Sequence, residues 1–319
     1  MTIAYGGWRS PDSEQNGVVL RARYPQAFEA VGELNALGHR LLQRIGSDGA
    51  KVRIGEIVGM AMLRRAVAQF AAVQALFSVS LIEPAKVQIR AQFELLLGVR
   101  YLVYGGRRTL SGVSTFRRQR ETRARYYYVG AERQRLYRRQ AILDHRSGRP
   151  KMTVQERDGL RNEIAAETHR LASNYRTQWR AYGPLRFSPP KPKYYDALPW
   201  FAFGFRSARA RVTTIRALAK RFGWTWEYDL VYSPLSSFLH GESVSHDLKI
   251  EAGEVEVFSP YMADAFETLC HWSCKFQLLI MTYIAQAYSQ VSVPDVQETY
   301  RRIRETIESL KVGAPEGYF

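Results

Sequence analysis

The sequence predicts a mostly α fold, a multi-helix bundle with a small β-hairpin excursion near residues 248–258. Three observations carry that reading. Apolar residues recur at helical spacing in the long segments from Pro25 onward, and Gly and Pro fall between those segments. Alternation with a period of two is confined to one short stretch. At 319 residues, 46% hydrophobic and 24% charged, the chain has ordinary globular composition and enough length for a sizeable core.

Residues 1–20 hold Gly, Pro, Ser and Asn without periodicity and read as a flexible or docked arm. From Pro25 to about Gly46 the series Phe28, Val31, Leu34, Leu37, Leu41, Leu42, Ile45 marks a helix. A second runs from about Val52 to Ile82, with Ile57, Met60, Leu63, Val67, Phe70, Val73, Leu76 and Phe77 on its stripe. Glu83-Pro84 is the expected break. The next helix, Pro84–Tyr104, is apolar in almost every direction, the pattern of a helix enclosed by others.

The segment Arg107–Arg146 is Arg-dense, with helical spacing plausible throughout. Thr153-x-x-Glu156 forms a capping box for a helix reaching about Tyr182. A Pro-rich connector follows over 183–199 and is either a linker or an ordered strap. Further helices are expected over Trp200–Phe222 and Glu227–Gly241, the latter interrupted by Pro234. Leu248–Phe258 alternates like a hairpin with its turn at Ala252-Gly253. Pro260–Gln290 and Asp295–Lys311 complete the helices. The expected organisation is an arm (1–20), one helical-bundle domain (21–290), and a C-terminal helix and tail (291–319).

The charge is the unusual part of the composition. Forty-six Lys and Arg against thirty Asp and Glu give a net charge of +16. Residues 107–146 concentrate it, with twelve Arg, three acids, and Tyr126, Tyr127, Tyr128 and Tyr137 interleaved. Guanidinium forks suit phosphate or carboxylate, and aromatic rings suit bases, so RNA, DNA or an acidic protein is the expected partner. The candidate nucleic-acid residues are Arg117, Arg118, Arg120, Arg123, Arg125 and Tyr126. A composition bias with a solvated helix face is the other reading.

Two cysteines one helical turn apart, Cys270 and Cys274, give no disulfide framework and fit a reducing cytoplasm. The N-terminus lacks a signal pattern, and the longest apolar run is too short to span a bilayer. No membrane association is expected. The cluster His240, Glu242, His246, Asp247 and the run Cys270-His271-x-x-Cys274 match no tight zinc spacing, so neither metal nor cofactor is expected.

Chemistry-bearing residues occur inside apolar segments at two places. Arg90 and Glu94 share a helix face at i, i+4, and Tyr232, Ser233, Ser236, Ser237 and His240 lie together downstream. Buried ionisable groups need partners, so they form either a structural network or a site. No Gly-x-Ser-x-Gly elbow supports a serine hydrolase. Arg139-x5-His145 fits the loose Arg-x4–6-His pattern of HEPN ribonucleases, a spacing expected by coincidence at this Arg density; His240 has no Arg at that offset.

Five features stand in order along the chain: the apolar helix ending near Pro84, Arg90-x-x-x-Glu94 with its Leu-rich continuation to Tyr104, the Arg/Tyr helix, the Trp200 helix leading to Gly223, and Tyr232-x-x-x-Ser236-x-x-x-His240. Together they resemble the domain of unknown function 5677 family over about residues 30–290. The resemblance implies a helical, HEPN-like bundle of the kind found in toxin or phage-defence systems, and such bundles often dimerise. It also implies a site of unknown role at Arg90, Glu94, Tyr232, Ser236 and His240. If that site cleaves RNA, His240 is the general acid/base, Arg90 the phosphate stabiliser and Glu94 the orienting group. The alternative is a non-catalytic scaffold whose polar core only fixes the fold.

Overall fold

Among the described residues, helical spacing is realised as helix nearly wherever it occurs. The computed structural model describes residues 13–46, 53–105, 113–144, 152–182, 199–203, 212–235, 248–251, 254–257, 265–288 and 293–309. They are α1 (Ser13–Arg23), α2 (Pro25–Gly46), α3 (Ile54–Ser78), α4 (Ile82–Tyr104), α5 (Val113–Asp144), α6 (Val154–Asn174) and α7 (Arg176–Tyr182). A 3-10 turn (Trp200–Phe203), α8 (Ile215–Phe222) and α9 (Thr225–Glu227) follow, and α9 runs on as a π-helix (Tyr228–Tyr232). The last two helices are α10 (Phe266–Ala287) and α11 (Val293–Ser309). Strands β1 (Leu248–Glu251) and β2 (Glu254–Val257) pair antiparallel, Leu248 opposite Val257. Four residues per strand make no β layer, so the class is mostly α.

The chain divides into two units. Unit 1 comprises Met1–Val52, Gly59–Val103 and Ala219–Phe319; unit 2 comprises Arg53–Val58 and Tyr104–Leu218. In unit 1, α4 is enclosed as its all-round apolar pattern requires: Ile89, Phe93, Leu96, Leu97, Val99 and Leu102 are fully buried. The side chain of Phe266 on α10 stacks on Phe28 at 5.5 Å and meets Phe77 edge-on at 4.9 Å, tying α2, α3 and α10 together. The C-terminal helix α11 packs on α10 and α2 and buries Val296 and Ile303.

Several boundaries differ from the sequence reading, each for a local reason. Helix α1 begins at Ser13, within the stretch read as an arm, and buries Leu20 for about 2 kcal/mol. Its Gly17 crosses so near the Ser78 carbonyl that any Cβ there would collide with it. The glycine that suggested flexibility marks a close backbone approach instead. The break before α4 falls at Val79–Leu81, where Ser80 takes a left-handed φ of 57°. Leu81 N–H donates to the Leu76 carbonyl, and Pro84 sits in the first turn of α4, where an N–H has no partner to lose. Of the expected α3 stripe Leu63, Val67, Phe70, Val73 and Phe77 are buried, Met60 and Leu76 are half-buried, and only Ile57 is exposed, Val58 and Met62 taking the buried positions of the first turns. Trp200–Phe222 is not one helix: the described part is a 3-10 turn and then α8, started by Thr214 Oγ1 accepting the Ala217 N–H.

In unit 2, α6 opens on the expected capping box: Thr153 accepts from the Glu156 N–H, and Glu156 accepts from the Thr153 N–H. The helix expected to reach Tyr182 breaks at Tyr175 (φ −126°, ψ 42°) and resumes as α7. Contacts between α5 and the α6–α7 pair run in opposite directions along the two. Arg139 meets Glu163, Arg135 meets Glu167, Tyr128 meets Tyr175, and Tyr126 meets Tyr182. This is an antiparallel helical hairpin, with Leu136, Ile164 and Leu171 as its buried seam.

Candidate functional site

In unit 1, Arg90, Glu94 and Tyr232 come together. The i, i+4 spacing on α4 brings Arg90 Nη2 to 3.1 Å from Glu94 Oε1. Tyr232 arrives on the π-helix. Pro234 has no N–H to continue an α ladder, and the turn before it widens so that Ser233 N–H donates to the Tyr228 carbonyl five residues back. The widened turn presents the Tyr232 phenol to α4, where its O–H donates to Glu94 Oε1 at 2.8 Å. Arg90 Nη2 donates to the same phenol oxygen at 3.0 Å, and the guanidinium lies 5.0 Å from the Tyr232 ring centroid. Phe93, 5.7 Å from Tyr232, supplies an apolar floor.

This is a charge-neutral triad, half-open to solvent. Burial, and then donation to Glu94, push the Tyr232 phenol up to about 12, with Arg90 opposing. At neutral pH the phenol stays protonated and is a donor, not a base. The ion pair is less deep than the apolar character of α4 suggested: the Arg90 side chain is 23% exposed and Glu94 39%. The α4 surface beside Tyr232 is open enough to hydrate part of both. Ser236 and His240, the other two residues expected here, lie outside the described residues.

In unit 2 the predicted basic residues separate into different environments along α5. Arg118 and Arg125 are exposed and lie seven residues apart, on one stripe. Arg120 is half-buried, and Arg117 lies on the helix. Arg123 departs from the expectation of an outward-facing contact. It is 5% exposed, its guanidinium packed against the backbone of Gly105, whose φ of 66° ends α4. Tyr126 departs too, because its ring is stacked on Phe203 at 5.7 Å and its carbonyl accepts the Tyr182 O–H at 2.7 Å. Tyr127 meets Trp200 edge-on, and the Tyr128 hydroxyl accepts from Arg170 at 2.9 Å. All three tyrosines are half-buried, Tyr126 and Tyr127 against the 3-10 turn and Tyr128 against Tyr175.

Two features had weak sequence signals. Arg133 is buried among Tyr137, Trp179 and Tyr182, its guanidinium 4.8 Å from the Trp179 ring. Nothing in the Arg-dense run distinguishes it from its neighbours. On the other side, Ser273 Oγ donates to Gln92 Oε1 at 2.8 Å, a fully buried pair 181 residues apart. Gln92 follows Arg90 by two residues, and only its position on an enclosed helix hinted at burial. Cys270 and Cys274 are both buried thiols; the contact with Cys270, together with burial, holds the Cys274 thiol well above its usual range. No group of three metal-ligating side chains occurs among the described residues, and no helix there is long and apolar enough to cross a membrane.

The fold and these sites define a mostly helical protein with a mutually bonded polar triad and an arginine-rich helical hairpin. The chain belongs to a family of unknown function, DUF5677, whose model matches residues 56–255 and so takes in the triad and the whole hairpin. No curated protein and no solved structure matches it.

Proposed function

We propose that this protein binds RNA or DNA through the guanidinium groups of unit 2. The observation that carries the reading is a mismatch of partners. Every carboxylate side chain described in unit 2 is already engaged. Glu56 and Glu156 cap helices, and Glu121 accepts the Gly55 N–H. Glu132, Asp158, Glu163 and Glu167 hold Arg135, Arg161, Arg139 and Arg170. Arg118, Arg125, Arg138, Arg157, Arg176 and Arg180 are exposed with no carboxylate partner among the described residues. Uncompensated guanidiniums repel one another, and phosphates relieve that repulsion while releasing counterions. The test is binding of labelled RNA and DNA across a salt series. A steep fall in affinity with salt supports the reading; salt-independent binding, or none at low salt, removes it.

A second reading concerns unit 1, where the mutually bonded triad favours a non-catalytic, fold-fixing role. Arg90 is neutralised by Glu94, and Tyr232 is protonated and committed to both. A HEPN-like ribonuclease, of the sort used in bacterial defence, would instead need His240 as acid/base and Arg90 released towards phosphate. Incubating total RNA with chelator, wild type beside His240→Ala, separates the two. Cleavage lost in a folded variant supports the nuclease; intact RNA in both supports the scaffold.

A further inference from the structure

We infer that the ligand of unit 2 is a nucleic-acid duplex, gripped by its phosphates at one end of the α5–α6–α7 hairpin without base stacking; this rests on the nucleic-acid reading above.

The two ends of the hairpin differ in charge balance: Arg138 and Arg157 are the exposed guanidiniums without a described carboxylate at the α6 end, against Arg118, Arg125, Arg176 and Arg180 at the other. At one end, Arg135 and Arg139 of α5 lie against α6, and there guanidiniums meet acids: Arg135 with Glu132 and Glu167, Arg139 with Glu163, Arg170 with Glu167. At the other end, Tyr126 and Arg133 lie against α7 through Tyr182 and Trp179, and the described carboxylate on the α5 turns before Tyr126, Glu121, accepts the Gly55 N–H. Exposed guanidiniums come from both helices at that end, Arg118 and Arg125 from α5, Arg176 and Arg180 from α7. The ring contact of Tyr128 with Tyr175 (5.3 Å) joins the helices there. Burial, and then the neighbouring Tyr128, raise the Tyr175 phenol, with Arg170 and Arg125 opposing. Arg118 and Arg125 are two turns apart, about 10 Å along one stripe, with Arg176 and Arg180 one turn apart on α7.

Single-strand binders add aromatic platforms to such an array, because stacking supplies much of the affinity for flexible strands. Among the described residues of unit 2, no aromatic side chain is fully exposed to supply such a platform. The exposed large apolar side chains described in unit 2 are Ile57, Ile142 and Val154, none aromatic, while Tyr126, Tyr127 and Tyr128 are half-buried, each with one ring contact, to Phe203, Trp200 and Tyr175. Phosphate contact remains, and it favours the ligand of highest charge density. A duplex presents a charge every ~1.7 Å of axis and is already rigid, so two helices of fixed guanidiniums gain most from it.

The experiment uses the full chain with a short RNA duplex, a DNA duplex of the same sequence, and each separated strand, at low salt. Both duplexes are expected to bind about tenfold or more tighter than the strands, with little change when the sequence is scrambled. Comparing the RNA and DNA duplexes identifies the preferred one. Strands that bind as tightly as duplexes, or rank by base composition, overturn the inference and leave the nucleic-acid reading standing. Absence of salt-dependent binding to any probe overturns both. For location, Arg125→Ala with Arg176→Ala should weaken duplex binding and lower the salt slope by about two. Arg135→Ala with Arg139→Ala should leave both near wild type. Equal losses from the two pairs, in variants with wild-type circular dichroism, overturn the placement at the α7 end.

Discussion

Arg90 in unit 1 and Arg125 in unit 2 are the same side chain in opposite circumstances. Arg90 has an acid one turn ahead on its own helix and a phenol delivered by a distant segment, so its charge is spent inside the fold. Arg125 is exposed and has no carboxylate partner among the described residues. The difference shows that net charge alone says little about binding. What counts is which guanidiniums remain after the acids within reach have been assigned.

Four measurements probe that contrast. The largest effect is expected from Arg118→Ala with Arg125→Ala, which should cost about a hundredfold in nucleic-acid affinity near ~0.1 M salt, read by fluorescence anisotropy. Unchanged affinity would mean that these guanidiniums are merely solvated. Next, Glu94→Gln should lower stability by about 1–2 kcal/mol in denaturant titration with affinity unchanged, because it strips the charge from the acceptor shared by Arg90 and Tyr232. An affinity change at constant stability would instead place the triad in the binding machinery.

Alkaline pH gives a smaller, more selective effect. The Tyr232 phenol is raised to about 12 in the folded protein against about 10 when unfolded. Its contribution is therefore complete below pH ~10 and declines as pH rises towards ~12, where the unfolded phenol ionises first. Tyr232→Phe should be less stable than wild type at neutral pH, and the gap should narrow through that window. A constant gap would contradict the raised phenol. Smallest of all, Arg135→Ala should lose less than about 1 kcal/mol and keep its affinity, since exposed ion pairs contribute little. A tenfold affinity loss there would erase the distinction between the ends of the hairpin.

Much of the helical layout was legible in the chain. The series Val31, Leu34, Leu37, Leu41 is the buried face of α2, the all-round apolar run 84–104 is enclosed, and Thr153-x-x-Glu156 closes its box. These depend on neighbours within a turn or two, where period and capping chemistry act. Breaks that depend on distant packing were not legible. Tyr175 interrupts α6 with neither Gly nor Pro, and Gly17 belongs to a helix that runs against the Ser78 carbonyl.

The candidate site divides in the same way. The pairing of Arg90 with Glu94 followed from i, i+4 geometry, and the concentration of positive charge over 107–146 from counting. The sequence alone settled the helical class and the amount and location of charge, because period, capping and composition are local properties of a chain. The inward turn of Arg123 and Arg133, the half-burial of Tyr126, Tyr127 and Tyr128, and the docking of Tyr232 on Glu94 were settled only by the folded arrangement. Each requires a partner from another helix, and which helix arrives depends on how the whole chain packs.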